Sequence, residues 1–480
     1  MIVRRADSTP AFTLTIATMI RIFKIFVPTS ILALLLSEII LLFSCYLAAV
    51  MMIAEMDPEV FLLYDGGLIR ITLLVAVELL SLYLLDLYTD VKVYSRILIF
   101  QEVCLVIGIA LISQALLSYI KPEWIVPRWM MTVGSGFALV LLPSWRILYS
   151  RYMLRALGHK QVLFLGESVT LDELAAGLTA RPELGFSVIG YINDNSHEPA
   201  GRELKHLGQI ADLRSIVAGS KPDMIVVGMT ERRNRLPVHE LLDLRFAGVP
   251  VMEIASLYEA AFGRVCTREL RPSQLIFSEE LGPDPTSVSL QSGYSFALAF
   301  IGFILTLPIM ALVALLVRFS SKGPVLLRQT RVGLHGEPFT VYKFRSMYED
   351  AEARTGAVWA VKNDPRITPV GFYLRRFRLD ELPQLFNVLK GDMSLAGPRP
   401  ERPEFVETLT EKIPFYRQRH GVKPGITGWA QISYKYGDTI EDTMMKLEYD
   451  LYYIKHLSLS LDLFIYFHTF KTMLLRRGAQ

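Results

Sequence analysis

Long apolar runs dominate the first third of the chain, and their length limits what they can be. Each has close to the length that an α-helix needs to cross a bilayer core, about 20 residues. The runs cover residues 31–54, 68–88, 97–119 and 129–148. They predict four transmembrane helices, in a region that we place at residues 1–155. Three carboxylates interrupt the runs and are expected to face the bundle interior or a helix end: Glu38, Glu78 and Glu102.

The charges around these runs predict their orientation. Basic residues precede the first run and cluster at the end of the last one, whereas the first loop between runs carries only carboxylates. The basic residues are Arg4, Arg5, Arg21 and Lys24, then Arg146, Arg151, Arg155 and Lys160. Loops rich in lysine and arginine stay on the cytoplasmic side of a membrane. The N-terminus and the chain after residue 150 are therefore expected in the cytoplasm.

From residue 160 the pattern changes to short apolar strands that alternate with amphipathic helices. "KQVLFLG" (160–166), "FSVIGYIND" (186–194) and "PDMIVVGM" (222–229) read as strands, and "TLDELAAGLTAR" (170–181) reads as a helix. The alternation predicts a doubly wound parallel sheet, in a Rossmann-like domain at residues 156–275. Its first turn, "LGES", lacks the G-x-G-x-x-G pattern that cradles a pyrophosphate. A regulatory or dimerising scaffold is therefore favoured, while nucleotide binding stays open.

A fifth apolar run, at residues 296–319, has membrane-spanning length and carries Pro308 at its middle. Proline removes a backbone hydrogen bond and kinks a helix. The basic residues that follow the run are Arg318, Lys322, Arg328 and Arg331. They place the downstream chain in the cytoplasm, where the upstream chain is already expected. A re-entrant helix at residues 293–320, which enters the membrane and breaks at Pro308, satisfies both placements; a linker at residues 276–292 precedes it.

The last third of the chain, residues 321–480, sets two adjacent carboxylates among basic residues. Three arginines precede Asp380 and Glu381, and a Pro-Arg-Pro follows at residues 398–400. Adjacent side chains on a helix diverge by about 100°, so the pair could act on one target only at a helix start or a tight turn. Arginines favour ionised carboxylates and bind phosphate oxygens, which suits phosphoryl transfer with Asp380 as nucleophile or metal ligand. The competing interpretation is a solvated, charged helix face.

Two further stretches of this segment suit an anionic ligand. "YKFRSM" (342–347) alternates aromatic and basic residues, as a strand with one anion-facing side would. "KPGITG" (423–428) is a turn bounded by proline and glycine, which can bring backbone N–H groups toward an anion. Both stretches therefore add groups that could donate hydrogen bonds to a phosphate, beside the arginines around the carboxylate pair.

The chain from about residue 293 to 480 resembles the monotopic phosphoglycosyl transferases, also called bacterial sugar transferases. The stretches that carry the resemblance are "KFRSM", "DPRITPVGFYLRRFRLDELPQLFNVLKGDMSLAGPRP", "KPGITGWAQ" and "EYDLYYIKHLSLSLDL". The layout, with four crossings and a Rossmann-like domain, is similar to the long members of the family. Those are undecaprenyl-phosphate glucose or galactose phosphotransferases that initiate exopolysaccharide or O-antigen synthesis. The first 290 residues match by layout more than by motif.

The resemblance implies a reaction and the residues that perform it. Family members transfer a sugar 1-phosphate from a UDP-sugar to undecaprenyl phosphate, release UMP and require Mg²⁺. By the match, Asp380 attacks the β-phosphate and forms a covalent phosphosugar intermediate, while Glu381 helps to hold the metal or to position the pair. The family's phosphate-binding positions match Lys343, Arg375 and Arg399. The full set of candidate phosphate-binding residues is Lys343, Arg345, Arg375, Arg378 and Arg399.

The resemblance also bears on the helix break, the partners and the location. The break matches Pro308, although many short members carry serine before that proline, where this chain has Leu307. The expected partners are a UDP-sugar, undecaprenyl phosphate, the lipid bilayer and a second copy of the chain. The expected location is the bacterial inner membrane, with several crossings. A Rossmann-like domain and a mainly α catalytic domain are expected on its cytoplasmic side.

Composition and missing motifs rank the rival functions. The net charge of the 480-residue chain is only +3, so no nucleic-acid partner is expected, and its three cysteines show no CxxC spacing for zinc. One rival is a membrane-tethered nucleotide-sugar oxidoreductase or epimerase. The missing glycine pattern and the lack of a Tyr-x-x-x-Lys pair in residues 160–260 count against it. The other rival is a non-enzymatic assembly scaffold, which predicts that Asp380→Asn leaves function intact. The sugar stays open among glucose, galactose and N-acetylhexosamine.

Overall fold

The computed structural model describes most of the chain in separate stretches. They cover residues 19–22, 25–53, 57–88, 96–153, 159–194, 204–229, 236–269, 282–348, 364–434 and 439–474. Several of the basic residues used above to predict orientation lie outside these stretches, namely Arg4, Arg5, Lys24 and Arg155. The chain divides into two compact units, one formed mainly by residues 26–252 and the other mainly by residues 253–480.

Five helices in the described part of the chain are long and apolar enough to cross a membrane. Two short strands, β1 (Met19–Ile22) and β2 (Ile25–Pro28), come first among the described elements. The four long apolar helices of the first unit are α1 (Thr29–Ile53), α2 (Gly67–Leu84), α3 (Arg96–Ile120) and α4 (Arg128–Leu148). Each of these helices matches a predicted apolar run to within four residues at either end. They pack around a shared apolar core that includes Leu42, Leu74, Val103 and Ala138.

The carboxylates of this helical region are buried with partners. Glu38 pairs with Arg146, with 2.7 Å between Oε1 and Nε. Glu78 accepts a hydrogen bond of 2.5 Å from the Tyr46 hydroxyl. Glu102 is partly buried. Because an isolated charge in a bilayer is costly, such partners suit inward-facing positions, and the prediction is confirmed for Glu38 and Glu78.

A five-stranded sheet follows in the same unit, with the strand order β5–β4–β3–β6–β7. Its strands are β3 (Lys160–Leu165), β4 (Phe186–Ile192), β5 (His206–Gly208), β6 (Met224–Val227) and β7 (Val251–Glu253). The helices between them are α5 (Val169–Ala180), α6 (Leu213–Ser220) and α7 (Val238–Phe246). The pairs β3–β4, β3–β6 and β4–β5 are parallel. The predicted parallel sheet is confirmed, and β5 was missed because three residues carry no readable periodicity.

The first turn of this sheet is closed by its own side chains. Gly166 has a φ of +95°, and a Cβ atom there would lie 2.2 Å from Cγ of Met229. The next residue, Glu167, accepts a hydrogen bond of 2.9 Å from the Asn193 amide. The glycine therefore permits close packing, and the carboxylate at this strand end is already bonded within the protein.

The fifth apolar helix belongs to the second unit, where it follows α8 (Ile254–Phe262) and runs as α9 (Pro285–Ser320). It starts eight residues before the predicted start at residue 293. The helix continues through Pro308, so the structure does not confirm a break there. Both halves pack on the same domain, since Ala299 clusters with Val388 and Val317 clusters with Leu374.

The rest of the second unit is a mainly α domain with two small sheets. Strands β8 (Leu326–Val332) and β9 (Pro338–Phe344) form an antiparallel hairpin, and β10 (Ser394–Ala396) pairs in parallel with β11 (Gly425–Thr427). The helices are α10 (Pro369–Arg376), α11 (Gln384–Lys390), α12 (Pro403–Lys412), α13 (Trp429–Ser433), α14 (Ile440–His456) and α15 (Leu459–Leu474). The core includes Tyr416, Leu451 and Leu461, and it extends to Val265 just after α8.

Candidate active site

The adjacent carboxylates lie on a tight turn, which is one of the two geometries in which they can act together. Helix α10 ends at Arg376, and Arg378 adopts a left-handed backbone with a φ of +53°. A 3₁₀ turn, Leu379–Glu381, follows and leads toward α11. Both carboxylates are buried, Asp380 to 9% exposure and Glu381 to 8%. The alternative of a solvated, charged helix face therefore does not describe this pair.

Three cations from three parts of the chain converge on Glu381. Lys343 Nζ of β9 lies 3.0 Å from Oε1, and Arg399 NH2 of the Pro-Arg-Pro lies 2.9 Å from the same oxygen. Arg378 NH1 lies 3.6 Å from Oε2. Burial opposes ionisation of Glu381, but Lys343, Arg399 and Arg378 outweigh it and hold its pKa below its usual range. Glu381 is therefore a fixed negative charge that gathers the cations.

Asp380 has the opposite environment. Within the described residues it forms no hydrogen bond and no ion pair, although it is as buried as its neighbour. Burial and the charge of Glu381 raise the pKa of Asp380, and Lys343, Arg375 and Arg399 offset this in part. Neither oxygen of Asp380 therefore has a hydrogen-bond or ion-pair partner in the described part of the chain, and both lie among cations.

Two other predicted phosphate-binding residues are held away from Glu381 by bonds of their own. Arg375 donates through Nε to the Ser346 hydroxyl at 2.9 Å, and its charge still acts on Asp380. Arg345, which is 6% exposed, donates through NH2 to the carbonyl of Ser321 at 2.7 Å, just past the end of α9. Its Nε and NH1 have no partner among the described residues. The structure thus brings Lys343, Arg378 and Arg399 close to the adjacent carboxylates Asp380 and Glu381, which we call the dyad. Arg345 instead bonds to the backbone at the C-terminal end of α9.

A buried asparagine that sequence reasoning missed holds the strand that carries Lys343. Asn387 on α11 is fully buried; its Nδ2 donates to the Thr340 carbonyl at 2.7 Å, and its Oδ1 accepts from Tyr342 N at 3.1 Å. The side chain thereby pairs with β9 as a neighbouring strand would. The only sequence signal was a polar residue on an apolar helical face. On the same helix, Gln384 is 3% exposed and its Nε2 has no partner among the described residues.

The predicted anion-binding turn "KPGITG" serves the backbone instead. Gly425 N donates to the Pro398 carbonyl at 3.0 Å, and Thr427 O accepts from Gly397 N at 2.9 Å. The expectation that this turn points its N–H groups at an anion is therefore wrong for Gly425. A Cβ atom at Gly397 would lie 2.5 Å from the Lys423 carbonyl, so this crossing requires glycine. The turn therefore holds the backbone at the start of the Pro-Arg-Pro segment.

The dyad offers carboxylates to a metal but is not a complete protein site. Among the residues that the structure describes, no group of three or more His, Cys, Asp or Glu side chains could hold a metal. Mg²⁺ commonly takes one or two carboxylates and completes its shell with water and substrate phosphates. The oxygens of Asp380 have no partner within the described stretches, whereas those of Glu381 are shared with three cations. The residues therefore fit a Mg²⁺ that is held jointly with a bound diphosphate.

Comparison with known proteins gives one consistent result. Residues 287–476 match the family model described as bacterial sugar transferase. A UDP-N-acetylgalactosamine-undecaprenyl-phosphate N-acetylgalactosaminephosphotransferase of Aeromonas hydrophila is 45% identical over 234 residues, which are 49% of this chain and 54% of that protein. A UDP-glucose:undecaprenyl-phosphate glucose-1-phosphate transferase of Klebsiella pneumoniae is 35% identical over 345 residues, 71% of this chain and 73% of that protein. An undecaprenyl-phosphate galactose phosphotransferase of Salmonella typhimurium is 30% identical over 394 residues, 77% of this chain and 79% of that protein.

These relatives bear on the whole chain to different degrees. The match spans about half of the A. hydrophila protein and about three quarters of the other two. The three names give three different sugars, so similarity alone does not select a donor. Together with five helices of membrane-spanning length, the matches identify a membrane protein. From its motifs, its matched residues and these relatives, the chain belongs to the bacterial sugar transferase family.

Proposed function

We propose that the protein transfers a sugar 1-phosphate from a UDP-sugar to undecaprenyl phosphate, releasing UMP and forming an undecaprenyl-diphosphate-sugar. The relatives support this class of reaction, since their names carry undecaprenyl phosphate. The observation that carries the proposal is the asymmetry of the dyad: among the residues that the structure describes, Glu381 is paired with three cations, and the buried Asp380 beside it is paired with none. A buried carboxylate without a partner costs free energy that a structural role does not require, so Asp380 fits a reacting group.

Asp380 acts as the nucleophile in this proposal. One of its oxygens attacks the β-phosphorus of the UDP-sugar, the bond from that phosphorus to the bridging oxygen breaks, and UMP leaves with the electron pair. An oxygen of undecaprenyl phosphate then attacks the same phosphorus. The bond between that phosphorus and the Asp380 oxygen breaks, and the Asp380 carboxylate is regenerated. Because the two substrates react in turn through a covalent intermediate, the proposal predicts ping-pong kinetics.

The cations around Glu381 supply the positive charge that this reaction needs. Two negatively charged phosphates must approach one another, and preorganised cations stabilise the charge on the phosphoryl oxygens. Lys343, Arg378 and Arg399 are already gathered at Glu381 beside Asp380. Glu381, whose pKa is held low, stays ionised and keeps them in place.

Asp380 and Glu381 would hold Mg²⁺ together with the donor diphosphate. When bound, the ion neutralises charge on the diphosphate and so favours the departure of UMP. We expect EDTA to stop UMP release from a UDP-sugar and excess Mg²⁺ to restore it. Release that persists in EDTA would contradict a required metal.

We further propose that the site works at the cytoplasmic face of the bacterial inner membrane, in the first membrane step of exopolysaccharide or O-antigen synthesis. One substrate is soluble and the other is a lipid, so a site beside a membrane helix meets both. A re-entrant α9 is supported by the packing of both its halves on one domain and by Pro308 between them. In intact cells, cysteines introduced near both ends of α9 should resist a membrane-impermeant reagent. Labelling of one end from outside would contradict re-entry. Mass photometry in detergent tests the expected homodimer.

The reaction is tested by measuring UMP release from a panel of UDP-sugars, with detergent-solubilised full-length protein, Mg²⁺ and undecaprenyl phosphate. We expect release with at least one donor, and loss of that release in Asp380→Asn. Glu407→Gln, which alters an exposed carboxylate on α12 of the same domain, is the matched control and should retain activity. Full activity of Asp380→Asn would support the scaffold alternative for this residue and contradict its role as nucleophile.

A further inference from the structure

The backbone of the Pro-Arg-Pro segment and of the next residue, Glu401, is held by hydrogen bonds at four successive carbonyls. Each carbonyl from Pro398 to Glu401 accepts a hydrogen bond of 2.9–3.1 Å. The donors, in chain order, are Gly425 N, Arg419 NH2, Arg331 NH1 and Val332 N. The middle residue, Arg399, is also the one whose guanidinium lies 2.9 Å from Glu381. Arg419 therefore bonds directly to the backbone of Arg399, the residue whose side chain reaches the dyad.

Arg419 is buried, and its hydrogen bonds to other side chains fix the orientation of its guanidinium. It is 7% exposed, and its Nε and NH2 donate to Oδ2 of Asp450 at 3.0 and 2.7 Å. Its NH1 donates to the Tyr416 hydroxyl at 2.8 Å. A buried ion pair adds little net stability, because lost hydration offsets the attraction. What a guanidinium adds is geometry, since its planar fork aims several donors at once.

Arg399 is consequently fixed at both of its ends. Its carbonyl is held by Arg419 at 3.0 Å, and its side chain is held by Glu381. The prolines on either side restrict the backbone further, because each locks its own φ. A displacement of the carbonyl is therefore passed on to the guanidinium, and placement errors of about 1 Å at a reacting centre can cost about 100-fold in rate.

We propose that Arg419, locked on Asp450, is a positioning residue for the transfer reaction. It holds the backbone of Arg399 so that the Arg399 guanidinium meets Glu381 and the phosphates of the donor. The inference rests on the proposed function, to which it adds a residue that touches neither substrate. The competing interpretation is that Arg419 only anchors α14 in the core, through Asp450.

A double-mutant cycle separates these interpretations. Arg419→Lys keeps the positive charge near Asp450 but lacks the fork that reaches the Arg399 carbonyl. We expect kcat/KM to fall about 10- to 100-fold in the wild-type background. In an Arg399→Ala background the same substitution should cost less than about threefold, because the residue through which it acts is gone. An equal fall in both backgrounds would overturn the proposal.

A second buried pair on the same helix provides the matched control. Arg264 pairs with Glu448 of α14, with 3.6 Å between Nε and Oε2 and side chains 9% and 2% exposed. Arg264→Lys therefore measures the cost of disturbing a buried Arg–carboxylate pair on α14. It should lower the thermal midpoint as Arg419→Lys does, while kcat/KM changes less than about threefold. An activity loss as large as that of Arg419→Lys would assign both residues to anchoring alone.

The same four proteins of the cycle, examined by thermal unfolding, give a readout that needs no activity. If Arg419 acts through Arg399, Arg419→Lys lowers the midpoint less in the Arg399→Ala background than in wild type. Additive shifts overturn the inference. If the wild type releases no UMP from any donor, the proposed function fails, and this thermal cycle alone decides the positioning role. If Arg419→Lys does not accumulate as folded protein, Asp450→Asn replaces it in both cycles with the same expectations.

Discussion

Two turns of this molecule carry carboxylates beside apolar elements, and the bonding partners of those carboxylates differ. At the end of β3, Glu167 accepts a hydrogen bond from Asn193 at 2.9 Å, and Met229 packs against Gly166. At the turn between α10 and α11, Glu381 is surrounded by three cations, while Asp380 has no partner among the described residues. The first turn is complete as it stands. The second turn has three cations around one carboxylate, Glu381, and a second buried carboxylate beside it.

From this contrast we propose that a carboxylate with no partner among the described residues, rather than the fold around it, marks the reacting site. A Rossmann-like sheet commonly binds ligands beyond its strand ends, and by fold analogy alone the turn after β3 would be a candidate. Its carboxylate accepts a hydrogen bond from Asn193 and its glycine packs against Met229, so neither of these two described groups is left open. At the dyad, no described residue pairs with either oxygen of Asp380, and the cations beside it can bind phosphate oxygens.

The largest expected effect comes from exchanging one carboxylate at each turn. Asp380→Asn should lower the rate of UMP release by at least about 1,000-fold, because the nucleophile is lost. Glu167→Gln, which can keep its bond to Asn193, should change that rate by less than about twofold. Initial rates at saturating donor measure both. A loss of activity in Glu167→Gln as large as that in Asp380→Asn would break the comparison.

Removing the charge that gathers the cations should have the next largest effect. Glu381→Gln leaves Lys343 and Arg399 close together without a carboxylate, which should lower turnover about 100-fold and destabilise the domain by about 3 kcal/mol. Turnover and the thermal midpoint, measured on the same preparation, report the two effects. A stable variant with normal turnover would show that the three cations do not depend on Glu381.

A smaller effect is expected from the strand that carries Lys343. Asn387→Ala removes the bonds to Thr340 O and Tyr342 N, which should destabilise the domain by about 1 to 3 kcal/mol. Turnover should fall about tenfold, because β9 no longer holds Lys343 against Glu381 as firmly. Rates at several temperatures below the unfolding transition separate misplacement from unfolding. Rates that match wild type at every such temperature would confine Asn387 to a structural role.

The smallest effect on the reaction is expected at the closed turn. Gly166→Ala places a Cβ atom where Met229 packs, at a φ that favours glycine, so the sheet should lose roughly 1 kcal/mol or more. Turnover per folded molecule should stay within about twofold of wild type. Protease resistance of the sheet, compared with the rate of UMP release, tests this separation. A large rate loss with an intact sheet would indicate that the turn takes part in the reaction.

Much of the fold could be predicted because its signals are local. Apolar run length placed α1 to α4 to within four residues, and strand–helix alternation identified the parallel sheet. Proline at 308 suggested a break that the helix assignment of α9 does not contain, since a neighbouring domain can support a helix through a proline. Strand β5 escaped notice because its pairing with β4, and not its three residues, defines it.

The candidate site could be predicted by residue type but not by pairing. The motif resemblance named Asp380, Glu381 and three basic residues, Lys343, Arg375 and Arg399, and the wider candidate set added Arg345 and Arg378. Which of these meet depends on contacts across 38 residues between Lys343 and Glu381 and 18 between Glu381 and Arg399. The positioning groups Asn387 and Arg419 were invisible for the same reason, because their partners are backbone atoms of distant segments.

Transfer through Asp380 is tested most directly by incubating the full-length protein with Mg²⁺ and its UDP-sugar, without undecaprenyl phosphate, and measuring released UMP and intact protein mass together. A covalent intermediate predicts a burst of up to one UMP per protein and a matching gain of one sugar phosphate, located on Asp380 and absent from Asp380→Asn. Adding undecaprenyl phosphate should remove the adduct. UMP that forms only when undecaprenyl phosphate is present, with no adduct at any time, would contradict a covalent intermediate and indicate direct transfer between the two substrates.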